Sequence, residues 1–457
     1  MEKRLFWLVG AVLAAGYLVG VLGFPARHGR VINGDAKQYY AWLQSAVFDR
    51  DLDFSNQYQL LYGGDGASKN VWLTTKTPVG RLTNMMSAGP AILWSPFFLV
   101  TALILGAFRA EPLNGMEPAL QASVGVAGVF YATLGGWLVY RTCALWFSRT
   151  ASFWAAMTVW LAGSALYYTL VSPTYSHATS LFAVSLFVYV WQKGYQARNA
   201  EGTEAARAGD STRTVVRRML LLGALGGLAA MVRWQDVIVL LLPAAELLRD
   251  CARKRVSVVS VTAGCLALGA AALAAMSPQL FAWYAVYGSP VVMPQGAGFM
   301  RWTQPEVLNL LFSLRHGLFT WTPCFLLAVA GLPFLVRRDR FVGWTTIAML
   351  ALAVYVNAVV WDWWAGEAFG ARRFIGYSAF FALGLAALLS RPPFKQRPGL
   401  VAAIGSAFVV YNVLFLLQYQ VFMRGMRDLV PYPETAKQVF VDRLLLPFQL
   451  LARWLSS

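Results

Sequence analysis

Charged residues are scarce in this chain of 457 residues: Asp, Glu, Lys and Arg make up 13%, whereas apolar residues make up 58%. A soluble chain carries about 25% charged residues, so the composition excludes a cytosolic enzyme and a disordered chain. Only four cysteines occur, far apart and without metal-ligand spacing, which excludes a disulfide framework and a zinc site. Glycine-rich nucleotide-binding motifs and H-E-x-x-H are also missing, so ATP-driven transport, dinucleotide chemistry and zinc proteolysis have no support.

Long apolar runs dominate the chain instead. They predict an all-α, polytopic integral membrane protein with roughly 11–13 transmembrane helices, forming a single membrane domain over residues 1–457. The apolar windows lie near 4–24, 88–108, 119–140, 150–171, 178–195, 219–232, 236–249, 258–280, 317–336, 341–361, 373–390 and 398–420. Between two short windows, Arg233 and Asp236 interrupt the apolar sequence. This break predicts either half-length helices with the two charges paired in the bundle, or a hairpin tip at the surface.

Basic residues outnumber acidic ones, which gives a formal net charge of +17. They gather in short loops between apolar windows, so the positive-inside rule explains them better than a nucleic-acid partner does. The rule assigns loops 196–217, 249–256, 337–340 and 391–397 to the cytoplasm, and loops 25–86, 281–316 and 362–372 to the other side. The number of apolar windows between residues 88 and 249 differs by one from the number of crossings that these loop assignments require. One window there therefore does not span, or one crossing is hidden. The tail 421–457 is predicted to contain an interfacial helix.

The extracytoplasmic loop 25–86 contains the first candidate site. Asp35 directly precedes a run in which Tyr39 and other apolar residues recur at helical spacing, which predicts a juxtamembrane surface helix with an aromatic underside. Asp35 and Gln38 fit an N-cap with a capping box. The same carboxylate fits a general base at the lipid–water boundary, where it accepts a proton from an incoming hydroxyl. Lys76 in this loop adds positive potential suited to a phosphate.

Three further carboxylates in the loop raise the question of a metal. Asp49, Asp51 and Asp53 occupy every second position, so an extended segment would place them on one face, which suits a divalent cation. In a solvated turn they are ordinary surface carboxylates. The metal therefore stays open, and no other cofactor is indicated.

The segment WDWWAGEAFGARRF (361–374) is the second candidate site. Its candidate substrate-binding residues are Trp363, Trp364, Glu367, Arg372 and Arg373. The tryptophans fit an interfacial belt and also fit stacking on sugar rings or a prenyl chain. Guanidinium binds phosphate in a bidentate fork, so the arginine pair predicts a site for the lipid phosphate of a donor. The alternative is a structural ion pair with Glu367 or Asp362.

Two histidines and two further arginines complete the candidates. SLRHGLFTWTP (313–323) places Arg315 and His316 just before a predicted helix, with Arg301 upstream in the same outer loop. His316 suits proton transfer or phosphate binding, or a structural role at the helix start. His177, in SPTYSHATS, lies at a proline-containing break between apolar windows. At such breaks, polar side chains often form hydrogen bonds with backbone groups that the helix leaves unpaired.

Four segments of the chain form an ordered set: GDAKQYYAWLQSAVFDRDLDFSNQY (34–58), GPAILWSPFF (89–98), SLRHGLFTWTP (313–323) and WDWWAGEAFGARRF (361–374). Together they resemble the glycosyltransferase-C superfamily, and more closely a largely uncharacterised bacterial group within it. The superfamily includes the protein O-mannosyltransferases and the aminoarabinose transferases of lipid A. Its catalytic base is a first-loop aspartate, and Asp35 is the matching position. The chain differs from the better-known relatives in lacking an appended soluble domain, which leaves the acceptor open.

The resemblance implies an enzyme that moves a sugar from a polyprenyl-phosphate donor to a hydroxyl of a glycan, lipid or protein acceptor, with inversion. It implies a multi-pass protein of the bacterial inner membrane, surrounded by membrane lipids, with its active site facing the periplasm or cell exterior. The alternative function is a transporter or flippase of a lipid-linked sugar or another anion, for which broken helices and buried charges serve equally well. A third is a noncatalytic protein that binds polyprenyl phosphate. Asp35→Asn separates them, since it abolishes transfer only in an enzyme.

Overall fold

The computed structural model describes residues 2–23, 31–63, 71–199, 211–420 and 435–456. Within these ranges the regular structure is helical, with isolated β-bridges and no β-strand, so the predicted all-α class is confirmed. The chain divides into two compact units. Beyond the first two residues, unit 1 comprises Lys3–Gly135 and Tyr168–Ala297, and unit 2 comprises Gly136–Tyr167 and Gly298–Ser457.

Helices follow one another along the whole described chain. In order they are α1 (Glu2–Gly23), α2 (Ala36–Gln44), α3 (Ser55–Tyr62), α4 (Val71–Thr74), α5 (Gly89–Phe108), α6 (Pro118–Cys143), α7 (Arg149–Leu161), α8 (Ser164–Leu170), α9 (Ser176–Asn199), α10 (Thr212–Val232), α11 (Leu241–Ala252), α12 (Val258–Tyr287), α13 (Val307–Phe312), α14 (Leu318–Trp321), α15 (Cys324–Arg338), α16 (Arg340–Ala358), α17 (Ser378–Leu389), α18 (Pro398–Gln418), α19 (Ala436–Phe440) and α20 (Asp442–Ser456). Shorter 3₁₀ segments occupy Trp234–Leu240, Ala297–Phe299, Arg372–Tyr377 and Phe394–Gln396, and Ser45–Asp49 forms a π-helical turn.

Eight described segments are long and apolar enough to cross a membrane. They are Glu2–Leu22, Gly89–Phe108, Pro118–Cys143, Thr212–Val232, Val258–Tyr287, Arg340–Ala358, Arg372–Leu389 and Pro398–Gln418. The other predicted windows are helical too, but they are shorter, broken or more polar, and they form α7 with α8, α9, α11 and α15. Every apolar window of the sequence is therefore a helix, and the number that spans beyond these eight stays a prediction.

Helix α5 and the loop that follows it both contact α2. Its first half packs along α2, where Trp94 meets Tyr39 edge to face at a ring distance of 6.1 Å. The loop after α5 returns to the end of α2, since the carbonyl of Asn114 accepts a hydrogen bond of 2.8 Å from Gln44 Nε2. The length and composition of α5 suffice for a span, and whether it crosses a membrane stays a prediction. The disagreement of one crossing in the charge-based topology therefore stays open.

Small residues set a close helix contact in unit 1. A Cβ atom on Gly223 would lie 2.3 Å from the carbonyl oxygen of Leu268, and one on Gly227 would lie 2.3 Å from that of Ala272. Helices α10 and α12 therefore meet backbone to backbone, as small-xxx-small motifs allow. Helix α10 ends where Arg233 turns extended, with φ −146°, so the predicted break is confirmed. The preceding helix is not half-length, because it has 21 residues.

An ion-pair cluster holds α9, α10 and α11 together. Arg218 lies 2.7 Å from Glu246, Arg198 contacts Glu246 and lies 3.2 Å from Asp250, and Arg249 lies 2.8 Å from Asp250. Both carboxylates are almost fully buried. Because α9 rises about 1.5 Å per residue, the cluster near its end lies about 30 Å from its first residue.

Unit 2 has a core of helices and closely packed aromatic rings. Helices α15 and α17 meet at glycine, where a Cβ on Gly384 would lie 2.2 Å from the carbonyl oxygen of Ala328. Trp321 packs on Phe415 at a ring distance of 4.6 Å. The predicted helix of the C-terminal tail is present as α20, whereas residues 421–434 of that tail lie outside the described residues. Its interfacial position stays a prediction.

Candidate functional site

Asp35 stands at the start of α2, directly after a glycine in the left-handed region (Gly34, φ +57°). Its side chain makes no capping hydrogen bond among the described residues; its main-chain carbonyl accepts from the Gln38 N–H at 3.1 Å. Gln38 Oε1 accepts instead from the N–H of Met85 at 2.9 Å. The capping-box interpretation is therefore wrong, and the Asp35 carboxylate does not close the helix.

The helix predicted after Asp35 is confirmed, but its environment differs from the prediction. Every residue of α2 except Lys37 is buried, so the helix does not lie on a surface with only an aromatic underside. Trp42 packs edge to face on Phe54 at a ring distance of 4.8 Å. A helix packed on all sides has little room to shift, which fixes the position of the carboxylate at its start.

The Asp35 carboxyl is itself half-buried beside an aromatic ring. Burial raises the pKa of Tyr62 to about 12, and the negative charge of Asp35 contributes to the rise, so the two groups lie within electrostatic reach. Lys37 Nζ lies 4.4 Å from the centre of the same Tyr62 ring. A carboxylate and an ammonium group therefore flank this tyrosine.

Tyr39, one turn after Asp35, joins α2 to two other helices. Its hydroxyl donates a hydrogen bond of 2.8 Å to Ser176 Oγ. The same oxygen accepts from Arg233 Nη1 at 3.2 Å, and this nitrogen also lies 3.3 Å from His177 Nδ1. A guanidinium group only donates, so His177 Nδ1 accepts and the ring proton sits on Nε2. The network brings Tyr39 and His177 together with an arginine and a serine.

His177 is buried between tyrosine rings at the start of α9. Its ring centre lies 4.6 Å from that of Tyr168 and 6.2 Å from that of Tyr175. Tyr175 reaches the turn before α2, since a Cβ on Gly34 would lie only 2.1 Å from its hydroxyl oxygen. The segment 175–177 therefore lines the first turn of α2, next to Asp35.

The Asp49, Asp51 and Asp53 carboxylates do not form a metal site. Asp51 Oδ1 accepts from the N–H of Asp53 at 2.9 Å, and Asp53 accepts from the N–H of Ser55 at 2.9 Å. Hydrogen bonds from Ser55 hold the pKa of Asp53 below its usual value. In the part of the chain that the structure describes, no group of three or more His, Cys, Asp or Glu side chains could hold a metal ion. These carboxylates instead shape the turn before α3.

Lys76 is exposed on a short hairpin, where it pairs with Leu82 across an antiparallel bridge. Its charge contributes to the low pKa of Asp53. None of the contacts of the described residues joins Lys76 to the network around Tyr39. Its predicted role toward a phosphate stays a prediction.

In unit 2, two loops far apart in sequence run side by side. The N–H of Arg301 donates to the carbonyl of Val359 at 2.6 Å, and the N–H of Trp361 donates to the carbonyl of Phe299 at 3.0 Å. The Arg301 side chain itself is exposed. The outer loop predicted from Arg301 is thus fixed to the tryptophan-rich segment.

His316 and Arg315 both contact Trp364 of that segment. His316 is buried with a positive φ of 63°, and its Nδ1 lies 2.7 Å from the Trp364 carbonyl oxygen. The Arg315 guanidinium lies 4.1 Å above the Trp364 ring. Trp363 meets the same ring edge to face at 5.6 Å. The four residues predicted from two separate motifs therefore form one cluster.

Arg373 makes the ion pair that the sequence offered as the alternative to phosphate binding. Its Nη2 lies 2.7 Å from Asp362 Oδ1, and its Nη1 donates to the Asp362 carbonyl at 3.0 Å. The side chains are only 11% and 23% exposed. Arg372 is half-buried and its N–H bonds the Gly370 carbonyl at 2.8 Å, whereas Glu367 is exposed.

Two site residues escaped the sequence analysis, and one pairing was wrong. Ser176 and Tyr175 carry no motif of their own, and only their position beside His177 could have indicated them. Arg233 and Asp236 do not pair with each other among the described residues. Asp236 accepts a hydrogen bond of 2.7 Å from Ser180, and Arg233 reaches Ser176.

Comparison with known proteins gives a similarity of fold. No protein-family model and no curated protein matches the chain. One similar structure is the Archaeoglobus fulgidus oligosaccharyltransferase, tethered through a disulfide bond to an acceptor peptide with the NVT sequon. Its sequence is 13% identical and the TM-score is 0.50. The match covers 96% of this chain and 60% of that one. The archaeal oligosaccharyltransferase AglB of the same organism, in complex with an inhibitory peptide and a dolichol-phosphate, is 15% identical, with a TM-score of 0.48 and coverages of 96% and 61%.

The first of these similarities shows the fold, which the chain shares with that oligosaccharyltransferase. The predicted resemblance to the glycosyltransferase-C superfamily is confirmed at the level of the fold alone, and the closer bacterial group stays a prediction. The chain spans about three fifths of the length of these solved structures.

Proposed function

We propose that this chain is a glycosyltransferase that moves a sugar from a polyprenyl-phosphate donor to an acceptor hydroxyl. The reaction takes place at the extracytoplasmic face of the membrane, with Asp35 as general base. One observation carries the proposal: a half-buried carboxylate stands at the start of a fully packed helix and does not cap it. The fold supports the proposal, because it is shared with an oligosaccharyltransferase whose structure holds an acceptor peptide.

The proposed reaction is a single displacement. Asp35 accepts the proton of the acceptor hydroxyl while that oxygen forms a bond to the anomeric carbon of the sugar. The bond between that carbon and the phosphate oxygen breaks, and the lipid phosphate leaves with the electron pair. One displacement inverts the configuration at the carbon. The charge that develops on the phosphate needs nearby hydrogen-bond donors and cations.

An apolar cavity of about 660 Å³ supports a lipid-linked donor. It lies among α1, α5 and α6, with Leu22, Phe97 and Val126 in its wall. Gln121, in the same turns of α6 but on a different face of the helix, accepts hydrogen bonds of 3.2 and 3.3 Å from the N–H groups of Val31 and Ile32. The cavity therefore lies beside the end of α6 that contacts the segment leading to the start of α2. We assign it to the prenyl chain of the donor.

The candidates of unit 2 are proposed to bind substrate as well. The Arg315 guanidinium lies over the Trp364 ring, and the attraction between cation and ring favours this position. Arg301, Trp363, Glu367 and Arg372 belong to the same pair of loops. Arg373 has the weakest claim to a phosphate, because Asp362 already holds its guanidinium.

The proposed function is tested by complementation. A strain that lacks the gene is compared with wild type by mass spectrometry of its envelope glycans, and we expect a sugar unit to be lost. The wild-type gene and Asp51→Asn restore the unit, because Asp51 only shapes a neighbouring turn. Asp35→Asn does not restore it, although the protein reaches the membrane in normal amount.

Restoration of the sugar by Asp35→Asn would remove Asp35 from the mechanism and favour a carrier of lipid-linked sugar. Unchanged glycans in the deletion strain would count against transfer itself. Purified protein that moves sugar from polyprenyl-phosphate donor to product of the opposite anomeric configuration would establish the chemistry.

A further inference from the structure

We propose that Arg233 binds the phosphate of the lipid-linked donor, with the Ser176 hydroxyl as a second hydrogen-bond donor to it. This inference rests on the proposed function, because it assigns the leaving group of that reaction to residues of unit 1.

The charge of Arg233 is the first argument. Its guanidinium is half-buried at the end of α10, and its side-chain partners are the neutral Ser176 and His177. Among the described residues no carboxylate lies within 4.0 Å of it. A cation placed beside membrane-spanning segments without a counter-ion is costly, and bound phosphate would supply the missing charge.

Three other half-buried arginines of unit 1 show the contrast. Arg198, Arg218 and Arg249 each lie within 3.2 Å of Glu246 or Asp250. The sequence therefore provides a carboxylate beside each of these three arginines. At Arg233 it provides hydroxyl and imidazole groups, which leave the positive charge available to an anion.

The hydrogen-bond inventory of Ser176 is the second argument. A serine hydroxyl accepts two hydrogen bonds and donates one. Ser176 Oγ already accepts from Tyr39 and from Arg233, at 2.8 and 3.2 Å. Its own hydrogen is therefore left to point to a further acceptor. An oxygen of a phosphate held by Arg233 is such an acceptor.

Position relative to Asp35 is the third argument. Tyr39 follows Asp35 by one helical turn, so the two side chains lie on one face of α2. Tyr39 contacts Ser176, which in turn contacts Arg233. On the other side of Asp35, Gly34 touches the Tyr175 hydroxyl. The guanidinium and the base are thus held by the same segment, 175–177, as a leaving phosphate and an attacking hydroxyl require.

The test measures binding of undecaprenyl phosphate to the full-length protein in nanodiscs. We expect Arg233→Gln to raise the Kd at least ~10-fold, because a charge-assisted bidentate contact is lost. Arg233→Lys keeps the charge but not the fork, so a smaller loss is expected. Ser176→Ala should weaken binding about 3-fold, the usual effect of one neutral hydrogen bond. Asp35→Asn should still bind.

Arg109→Gln is the matched control. Arg109 belongs to unit 1, lies in the loop that returns to α2, and sits 3.7 Å from Glu117, so its charge is already paired. Undecaprenol tests the role of the phosphate and should bind equally to wild type and Arg233→Gln. Inorganic phosphate separates a lipid site from a free-anion site: at millimolar concentration it should not displace the lipid.

Equal undecaprenyl-phosphate binding by wild type and Arg233→Gln would overturn the assignment of Arg233 and leave the proposed function intact. A wild-type protein that neither binds this lipid nor transfers sugar would overturn both. If inorganic phosphate displaces the lipid from wild type, and Arg233→Gln no longer binds inorganic phosphate, the ligand of Arg233 is a free anion and not the lipid. If Arg233→Gln does not fold, Arg233→Lys and Ser176→Ala decide, and wild-type affinity in both would overturn the assignment.

Discussion

The hydroxyl of Tyr39 donates a hydrogen bond of 2.8 Å to Ser176 Oγ, although 137 residues separate the two in sequence. Both side chains are buried. Because Ser176 Oγ also accepts from Arg233, a single oxygen joins α2, α9 and the end of α10. The position of Asp35, one turn before Tyr39, therefore depends on helices that follow far along the chain.

Replacing Tyr39 by phenylalanine removes this link while keeping the ring against Trp94. We expect a loss of about 1 kcal/mol in stability, the usual net value of one hydrogen bond, and a lower rate of sugar transfer. Thermal unfolding in detergent and initial rates measure the two effects. Tyr284→Phe is the control, since Tyr284 is 60% exposed on α12. Equal behaviour of both variants would show that the bond does not position α2.

Gly34→Ala tests the turn before Asp35. Alanine at φ +57° is strained by about 1 kcal/mol, and its Cβ would also lie 2.1 Å from the Tyr175 hydroxyl. Because the backbone on either side of this turn is rigid, we expect the Asp35 carboxylate to be displaced. The rate of sugar transfer should then fall at least ~10-fold. Gly80→Ala is matched in backbone strain, with φ +82° and nothing within 4 Å, and should retain transfer. Full activity of Gly34→Ala would contradict a fixed carboxylate.

Glu246→Gln tests the ion-pair cluster far from the candidate site. Glu246 is fully buried and contacts both Arg198 and Arg218, so its loss leaves Arg218 without its carboxylate partner and Arg198 with Asp250 alone. Breaking such a pair costs about 3–5 kcal/mol, and we expect a clear fall in the unfolding temperature. Transfer per folded molecule should not change. Glu111→Gln, 85% exposed and 3.8 Å from Arg109, should leave the unfolding temperature unchanged.

A double-mutant cycle of Arg373→Met and Asp362→Asn separates the structural and the phosphate-binding roles of Arg373. If the ion pair of 2.7 Å is what Arg373 provides, each single variant lowers stability and the double variant loses less than their sum. Binding of undecaprenyl phosphate should then be equal in the two single variants. A weaker affinity in Arg373→Met than in Asp362→Asn would restore Arg373 as a phosphate ligand.

Thiol labelling tests the course of α5. In a background without the four native cysteines, Glu111→Cys in the loop after α5 and Gln59→Cys in α3 should react with an impermeant reagent from the same side of the membrane. Arg253→Cys, after α11, should react only from the other side. Labelling of the first two positions from opposite sides would make α5 a transmembrane helix.

Local sequence was sufficient for the helices and for their breaks. Apolar windows of about 20 residues become helices in a bilayer because only internal hydrogen bonds satisfy the backbone there. The helix after Asp35 and the interruption at Arg233 were therefore predicted correctly. Amphipathic spacing could not show that α2 is buried on all sides, because the residues that cover it come from α3, α5 and the loop between.

Side-chain partners were decided by the tertiary structure. The sequence predicted a capping box for Asp35 and left two roles open for Arg373. In the structure, Gln38 accepts a hydrogen bond from Met85, and Arg373 forms an ion pair with Asp362. Composition shows that a charge is present, whereas its partner depends on which helices pack together. In the same way, the sequence by itself determined that Arg233 interrupts an apolar run. Only the packing of α2, α9 and α10 placed Ser176 against it, because the contact joins residues that no local pattern relates.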